Sequence, residues 1–154
     1  MTAAPAALGA RLVGTWELET YTIEDPGGTV IDLPFGPRPR GALVYTAEGR
    51  VAVHAMAADR PRSGAARPVL CTPQRKVAAF DSYFGYSGTY DLDGDRVTHH
   101  VVVSCFPDWT GTALRRTVTL DGDDVLVLRG SDPSPRVPVL IWRRDRGAQA
   151  CTPR

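Results

Sequence analysis

Turn-forming residues punctuate this chain at short intervals, and nearly every segment between them reads as a strand. Asp25-Pro26-Gly27-Gly28, Glu48-Gly49, Asp93-Gly94-Asp95 and Asp121-Gly122-Asp123 are the clearest breaks. Gly, Pro and Asp in such clusters favour tight reversals of the backbone. Gly14 to Tyr21 alternates, with Trp16, Leu18 and Thr20 on one face and Glu17 and Glu19 on the other. That period of two marks a half-buried strand. Further strands are expected over Thr29 to Leu33, Gly41 to Thr46, Arg50 to Ala57, Gly85 to Leu92, Val97 to Pro107, Thr112 to Leu120, Val125 to Arg129 and Val139 to Arg143. No helix–strand alternation is present, which argues against a parallel sheet. A meander of about eight to ten strands hides its edges best by closing on itself. The expected fold is therefore all-β: one up-and-down antiparallel barrel with an internal cavity for one small ligand.

Two stretches interrupt the meander. Pro34-Phe35-Gly36-Pro37-Arg38-Pro39-Arg40 is too proline-rich for a central strand and reads as a loop over one end of the sheet. Ala58 to Cys71 is a long polar loop. Thr72 then offers an N-cap and Pro73 a first helical residue. A single short helix is expected from there to about Tyr83, burying Val77 and Phe80.

The 154 residues fit one domain. Residues 1–10 are expected to be a flexible or weakly helical N-terminus, 11–146 the barrel, and 147–154 a flexible tail. A net charge of +1 with scattered arginines argues against a nucleic-acid partner. No run approaches the ~20 apolar residues of a membrane helix, and the first residues lack a charged and apolar leader. The three cysteines are an odd number with no close pair, which argues against a disulfide framework or a zinc site. These features predict a cytoplasmic protein that binds neither membrane nor nucleic acid. Monomer and homodimer both remain open, because the outward pair Val102 and Phe106 is too small a patch to decide.

Chemistry concentrates in Val97-Thr98-His99-His100-Val101-Val102-Val103-Ser104-Cys105-Phe106-Pro107. Alternation puts Val97, His99, Val101, Val103 and Cys105 on the more apolar, inward face. His99 is then either a core histidine bonded to a neighbour or a general acid–base in the cavity. His100 points the other way, so the two cannot share a metal, and no metal is expected. Cys105 lies about 20 Å from His99 along a regular strand, too far for a nucleophilic pair. Arg116, between Leu114 and Val118, falls on an apolar face, although Arg115 competes for that place. A buried guanidinium needs a carboxylate such as Asp81 or Asp91, or backbone carbonyls, or else awaits an anionic or enolate-like ligand. No nucleophile elbow, phosphate loop or dinucleotide fingerprint occurs, so no cofactor is expected.

Several of these stretches resemble the lipocalin-like domain family of bacteria and fungi. They are Gly14-Thr15-Trp16, Pro34-Phe35-Gly36-Pro37 with Gly41-x-Leu43-x-Tyr45-Thr46, Asp59-Arg60-Pro61, Tyr86-Ser87-Gly88-Thr89-Tyr90, and Val97 to Val101 continued by Ser104-x-Phe106-Pro107-x-Trp109-x-Gly111-Thr112. The resemblance spans Leu12 to Arg143. It implies a calycin barrel open at one end, with Trp16 plugging the closed end under Arg143 or Arg144. His54 stands where the family commonly has Gln. The candidate catalytic residues are His99, Arg116 and Tyr86. The candidate substrate-binding residues are Tyr45, His54, Phe84, Tyr90, Val101, Phe106 and Trp109. Two functions fit: a cofactor-independent cyclase, isomerase or dehydratase acting on a hydrophobic, polyketide-type intermediate, or a non-catalytic carrier of a hydrophobic small molecule.

Overall fold

The computed structural model describes residues 5–147. Its strands are β1 (Gly14–Glu24), β2 (Val30–Asp32), β3 (Arg40–Tyr45), β4 (Arg50–Met56), β5 (Tyr83–Asp93), β6 (Arg96–Ser104), β7 (Ala113–Asp121), β8 (Val125–Gly130) and β9 (Val137–Arg144). Every pairing is antiparallel, each strand from β3 onward pairs with the next, and β1 pairs with both β3 and β9. Eight strands thus close a barrel, and β2 is a short flap paired only with β1. Closure answers the edge problem that a nine-strand open meander would face. The hairpins turn where the sequence is punctuated: Gly94 and Gly122 take φ of +62° and +58°, values that cost an L-residue energy and glycine nothing.

One end of the barrel is sealed. Helix α1 (Pro5–Leu12) lies there and buries Leu8 and Leu12. The Trp16 indole Nε1–H donates to the Leu12 carbonyl (3.0 Å). The Arg144 guanidinium lies 4.1 Å from the Trp16 ring centroid and donates to the carbonyls of Val13 (3.1 Å), Asp123 (2.7 Å) and Arg11. Arg144, not Arg143, therefore covers the plug, while Arg143 pairs outside with Glu19 at 2.9 Å. The N-terminal segment, expected to be flexible or weakly helical, is helical from Pro5, because its two leucines complete the core under Trp16.

The opposite end carries the long connections. Helix α2 (Pro73–Asp81) sits between β4 and β5, with Thr72 Oγ1 accepting from the Arg75 N–H as its cap. It does not bury Val77 and Phe80 as its sequence predicts: they are 60% and 50% exposed, and the helix contacts the barrel chiefly along β5. Arg60 ties it down through Ser82 Oγ (3.0 Å) and the Ala79 carbonyl (3.0 Å). The tail expected to be flexible after Gly147 lies outside the described residues.

Two bulges reset the alternation. The β1–β9 register slips between Leu18 and Thr20, so Tyr21 and Ile23 turn inward after Trp16 and Leu18. The β5–β6 register slips at Val102, since Ser87 faces Val103 and Gly88 faces Val101. An extra residue in one strand shifts every later side chain to the other face.

Candidate functional site

A cavity of about 90 Å³ lies inside the barrel towards the end that α1 does not seal. β1 contributes Tyr21, β4 Val53, β5 Phe84 and Tyr86, β6 His99, and β7 Arg116. Leu128 comes from β8 and Pro138, Leu140 and Trp142 from β9, while Trp109 comes from the 3₁₀ turn Pro107–Trp109. Aromatic rings close the top. Phe35, from the proline-rich loop, meets Tyr21 at 5.3 Å and Phe84 at 5.7 Å between centroids. Trp109 packs edge-on against Phe84 (5.7 Å) and Tyr86 (5.8 Å).

His99 is the most buried polar residue of the core, only 1% exposed. Both ring nitrogens are held by phenols: Nε2 lies 2.7 Å from Tyr45 Oη and Nδ1 2.8 Å from Tyr86 Oη. Burial, with smaller contributions from Arg116 and His100, pushes the imidazole down to about 3, so it is neutral at physiological pH. A neutral imidazole donates from one nitrogen and accepts at the other. Tyr45 is buried and its hydroxyl has no partner besides His99. An orphaned buried donor costs about 1–3 kcal/mol, so Tyr45 donates to Nε2. His99 then carries its proton on Nδ1 and donates it to Tyr86. The Tyr86 hydrogen is left free to serve the cavity that Tyr86 lines. Burial pushes the Tyr86 phenol up to about 12 and raises Tyr45 well above its ordinary value. Both stay protonated near neutrality.

Arg116, not Arg115, faces the cavity. Arg115 is exposed and lies 3.7 Å from Asp132. Arg116 Nη1 donates to the Arg115 carbonyl (3.0 Å). Among the described residues no carboxylate is within ion-pairing distance of Arg116. Asp91, one partner considered for it, instead bonds His100 on the outer surface at 2.6 Å. Trp142, also on the cavity wall, has a buried indole N–H with no protein partner.

Of the residues expected at the site, His99, Arg116, Tyr86, Phe84 and Trp109 converge on this cavity. Tyr45 and Val101 lie in the core beneath it, Tyr45 acting through His99. Tyr90 packs on Tyr45 at 4.7 Å and donates to the Thr46 carbonyl (2.9 Å), near the sealed end. His54 is a correction. It sits at an exposed, outward position of β4 and bonds the Tyr83 hydroxyl, because Val51, Val53 and Ala55 hold the inward phase. Phe106 is another: it is 37% exposed and braces Trp109 from outside at 5.5 Å. Val103 and Cys105, expected inside, are exposed, because the bulge at Val102 reverses the phase of β6. Tyr21 escaped the sequence reading for the same reason on β1. Trp142 could have been found, since Leu140 and Trp142 alternate on the last strand.

The lipocalin-like domain family matches the chain over residues 13–145. The chain belongs to this family. No curated protein matches it. Among solved structures it is similar to a redesigned beta barrel at 12% identity and TM-score 0.45, covering 95% of this chain and 100% of that one. A de novo designed fluorescence-activating beta barrel follows at 14% and 0.43, covering 93% and 100%. A redesigned beta barrel, mFAP1, bound to DFHBI, matches at 11% and 0.42, covering 88% and 97%. In this lipocalin-like domain the fold rests on the strand pairing above. A lipocalin-like barrel with an internal cavity is an architecture for small-molecule binding. The cavity of about 90 Å³ falls below the ~150 Å³ void that takes one benzene in an engineered core. A ligand of benzene size or larger therefore needs more room than the cavity offers as it stands. Among the described residues no three His, Cys, Asp or Glu side chains converge as a metal site would require.

Proposed function

We propose that this lipocalin-like domain is a cofactor-independent enzyme that moves a proton on a hydrophobic small molecule: a cyclase or isomerase, or a dehydratase, of a polyketide-type intermediate. The observation that supports this most is the buried chain Tyr45–His99–Tyr86, which ends on the cavity. Tyr86 is the proton donor in this reading. It hydrogen-bonds a substrate carbonyl oxygen and hands over its proton as the bond-forming step proceeds. The neutral His99 is not the acid itself: its Nδ1–H stabilises charge developing on the Tyr86 oxygen, and Tyr45 fixes that tautomer. In a cyclisation, the proton released by the attacking hydroxyl returns to Tyr86, so the product is an isomer of the substrate. The apolar walls fold a flexible chain into a reactive conformer. A cytoplasmic setting belongs to the same proposal, and the free thiols of Cys71 and Cys105 fit a reducing compartment.

A carrier role has one observation in its favour. The polar lining offers donors and no carboxylate base, which suits holding a ligand without changing it. The deciding experiment incubates purified protein with extract of the source organism and profiles small molecules after denaturation. The enzyme reading expects a compound replaced by one of equal mass, or lighter by one water. Tyr86→Phe should lower that turnover by about 10²-fold or more, the scale of positioned acid–base catalysis. A compound depleted from the free pool and then recovered intact would establish the carrier instead.

A further inference from the structure

Two groups that border the same cavity have donors to spare, Arg116 being held by the Arg115 carbonyl alone. The Arg116 guanidinium faces it with no carboxylate in ion-pairing distance among the described residues. The Trp142 indole N–H is buried with no protein partner. The Tyr86 hydrogen is a third donor, freed by the tautomer that Tyr45 imposes on His99. The rest of the wall is apolar or aromatic, and it contains no Asp or Glu. The field of Arg116 also reaches Tyr21, Tyr45, Tyr86 and His99, in each case favouring the less protonated form.

This lining discriminates among ligands. A pure hydrocarbon would leave buried donors without acceptors, which is costly. A cation would meet a guanidinium with no counter-charge. A flat anion with delocalised charge would answer the donors and still suit the aromatic walls. We propose that the ligand is a planar, conjugated molecule ionised at one oxygen, an enolate or phenolate, bound with that oxygen against Arg116. Tyr86 and Trp142 supply hydrogen bonds to its acceptors. The inference rests on the reading of the cavity as a ligand site, and it names the class of molecule that site takes. It also gives a proton-moving enzyme its reason for the arginine, since an enolate is stabilised where it is bound.

The test uses para-nitrophenol and its neutral isostere para-nitrotoluene as probes, with the intact chain, near the pH at which the free phenol is half ionised. The phenolate absorbs at longer wavelength than the phenol, so the bound form is read directly. The wild type should bind the phenolate roughly tenfold or more tightly than nitrotoluene, and should ionise the bound phenol at a lower pH than in free solution. Arg116→Gln should lose that preference while still binding nitrotoluene, which shows that the variant is folded. Trp142→Phe should weaken only the phenolate, and Arg115→Gln should change neither. Equal affinity for both probes in the wild type, or a preference that survives Arg116→Gln, overturns the inference. If the extract experiment shows turnover and the probes show no preference, only this inference fails. If the preference holds and nothing is turned over, only the catalytic reading fails. Binding of neither probe overturns this inference, and the extract experiment alone decides the catalytic reading.

Discussion

At the scale of single residues, His99 carries the most consequence. Its folded imidazole titrates at about 3 against an ordinary 6.5, chiefly because burial disfavours the cation. The unfolded chain therefore takes up a proton below about 6.5 that the native state refuses. The stability carried by the neutral ring is fully present above that pH, and it drains away as pH falls towards about 3. The slope is about 1.4 kcal/mol per pH unit over that window. Urea denaturation of the wild type and of His99→Gln separates this contribution from that of the carboxylates. The stability advantage of the wild type should shrink by about 3 kcal/mol between about pH 7 and about pH 4. An advantage that stays constant would mean that His99 is not held neutral in the fold. The sequence placed His99 inward correctly. It could not show that both ring nitrogens are committed, because Tyr45 and Tyr86 reach the ring from positions 54 and 13 residues away.

At the scale of elements, strands were legible and phases were not. Turn residues and alternation located all eight barrel strands, because local chemistry sets both. A bulge is set by the partner strand, so the reading drifted wherever one occurred. On β6 it sent Val103 and Cys105 to the wrong face, and on β1 it hid Tyr21. Helix α2 misled for a related reason: its apolar residues suggested a buried face, yet the barrel leaves that helix on its rim. The β6 bulge did leave a trace in Gly88. A Cβ there would sit 1.8 Å from the His100 carbonyl oxygen, a backbone atom that cannot swing aside. Gly88→Ala should therefore force β5 and β6 apart just where Tyr86 and His99 meet. The expected cost is about 3 kcal/mol or more, the upper range for overpacking, read from the thermal midpoint. The His99 ring resonances should shift in the same variant. A neutral Gly88→Ala would show that the bulge is not closed as described.

At the scale of the whole molecule, the barrel has two ends with separate tasks. Leu12, Trp16 and Arg144 seal one end through burial, a 3.0 Å hydrogen bond and a cation–π contact. Phe35, Phe84 and Trp109 close the other with rings, Phe35 on a loop and Trp109 on the 3₁₀ turn between β6 and β7. The loop bearing Phe35 can open without breaking the strand ladder, whereas the sealed end is continuous with the core. The cavity as it stands is too small for a conjugated ligand, so the loop bearing Phe35 should limit how fast one enters. Phe35→Ala should raise the association rate of para-nitrophenolate several-fold in stopped-flow measurements, as a gate removed from the path would. Leu12→Ala should lower stability by about 2–5 kcal/mol, the usual range for a fully buried leucine, and leave that association rate unchanged. An association rate indifferent to Phe35 but sensitive to Leu12 would reverse the assignment and place the entrance under α1.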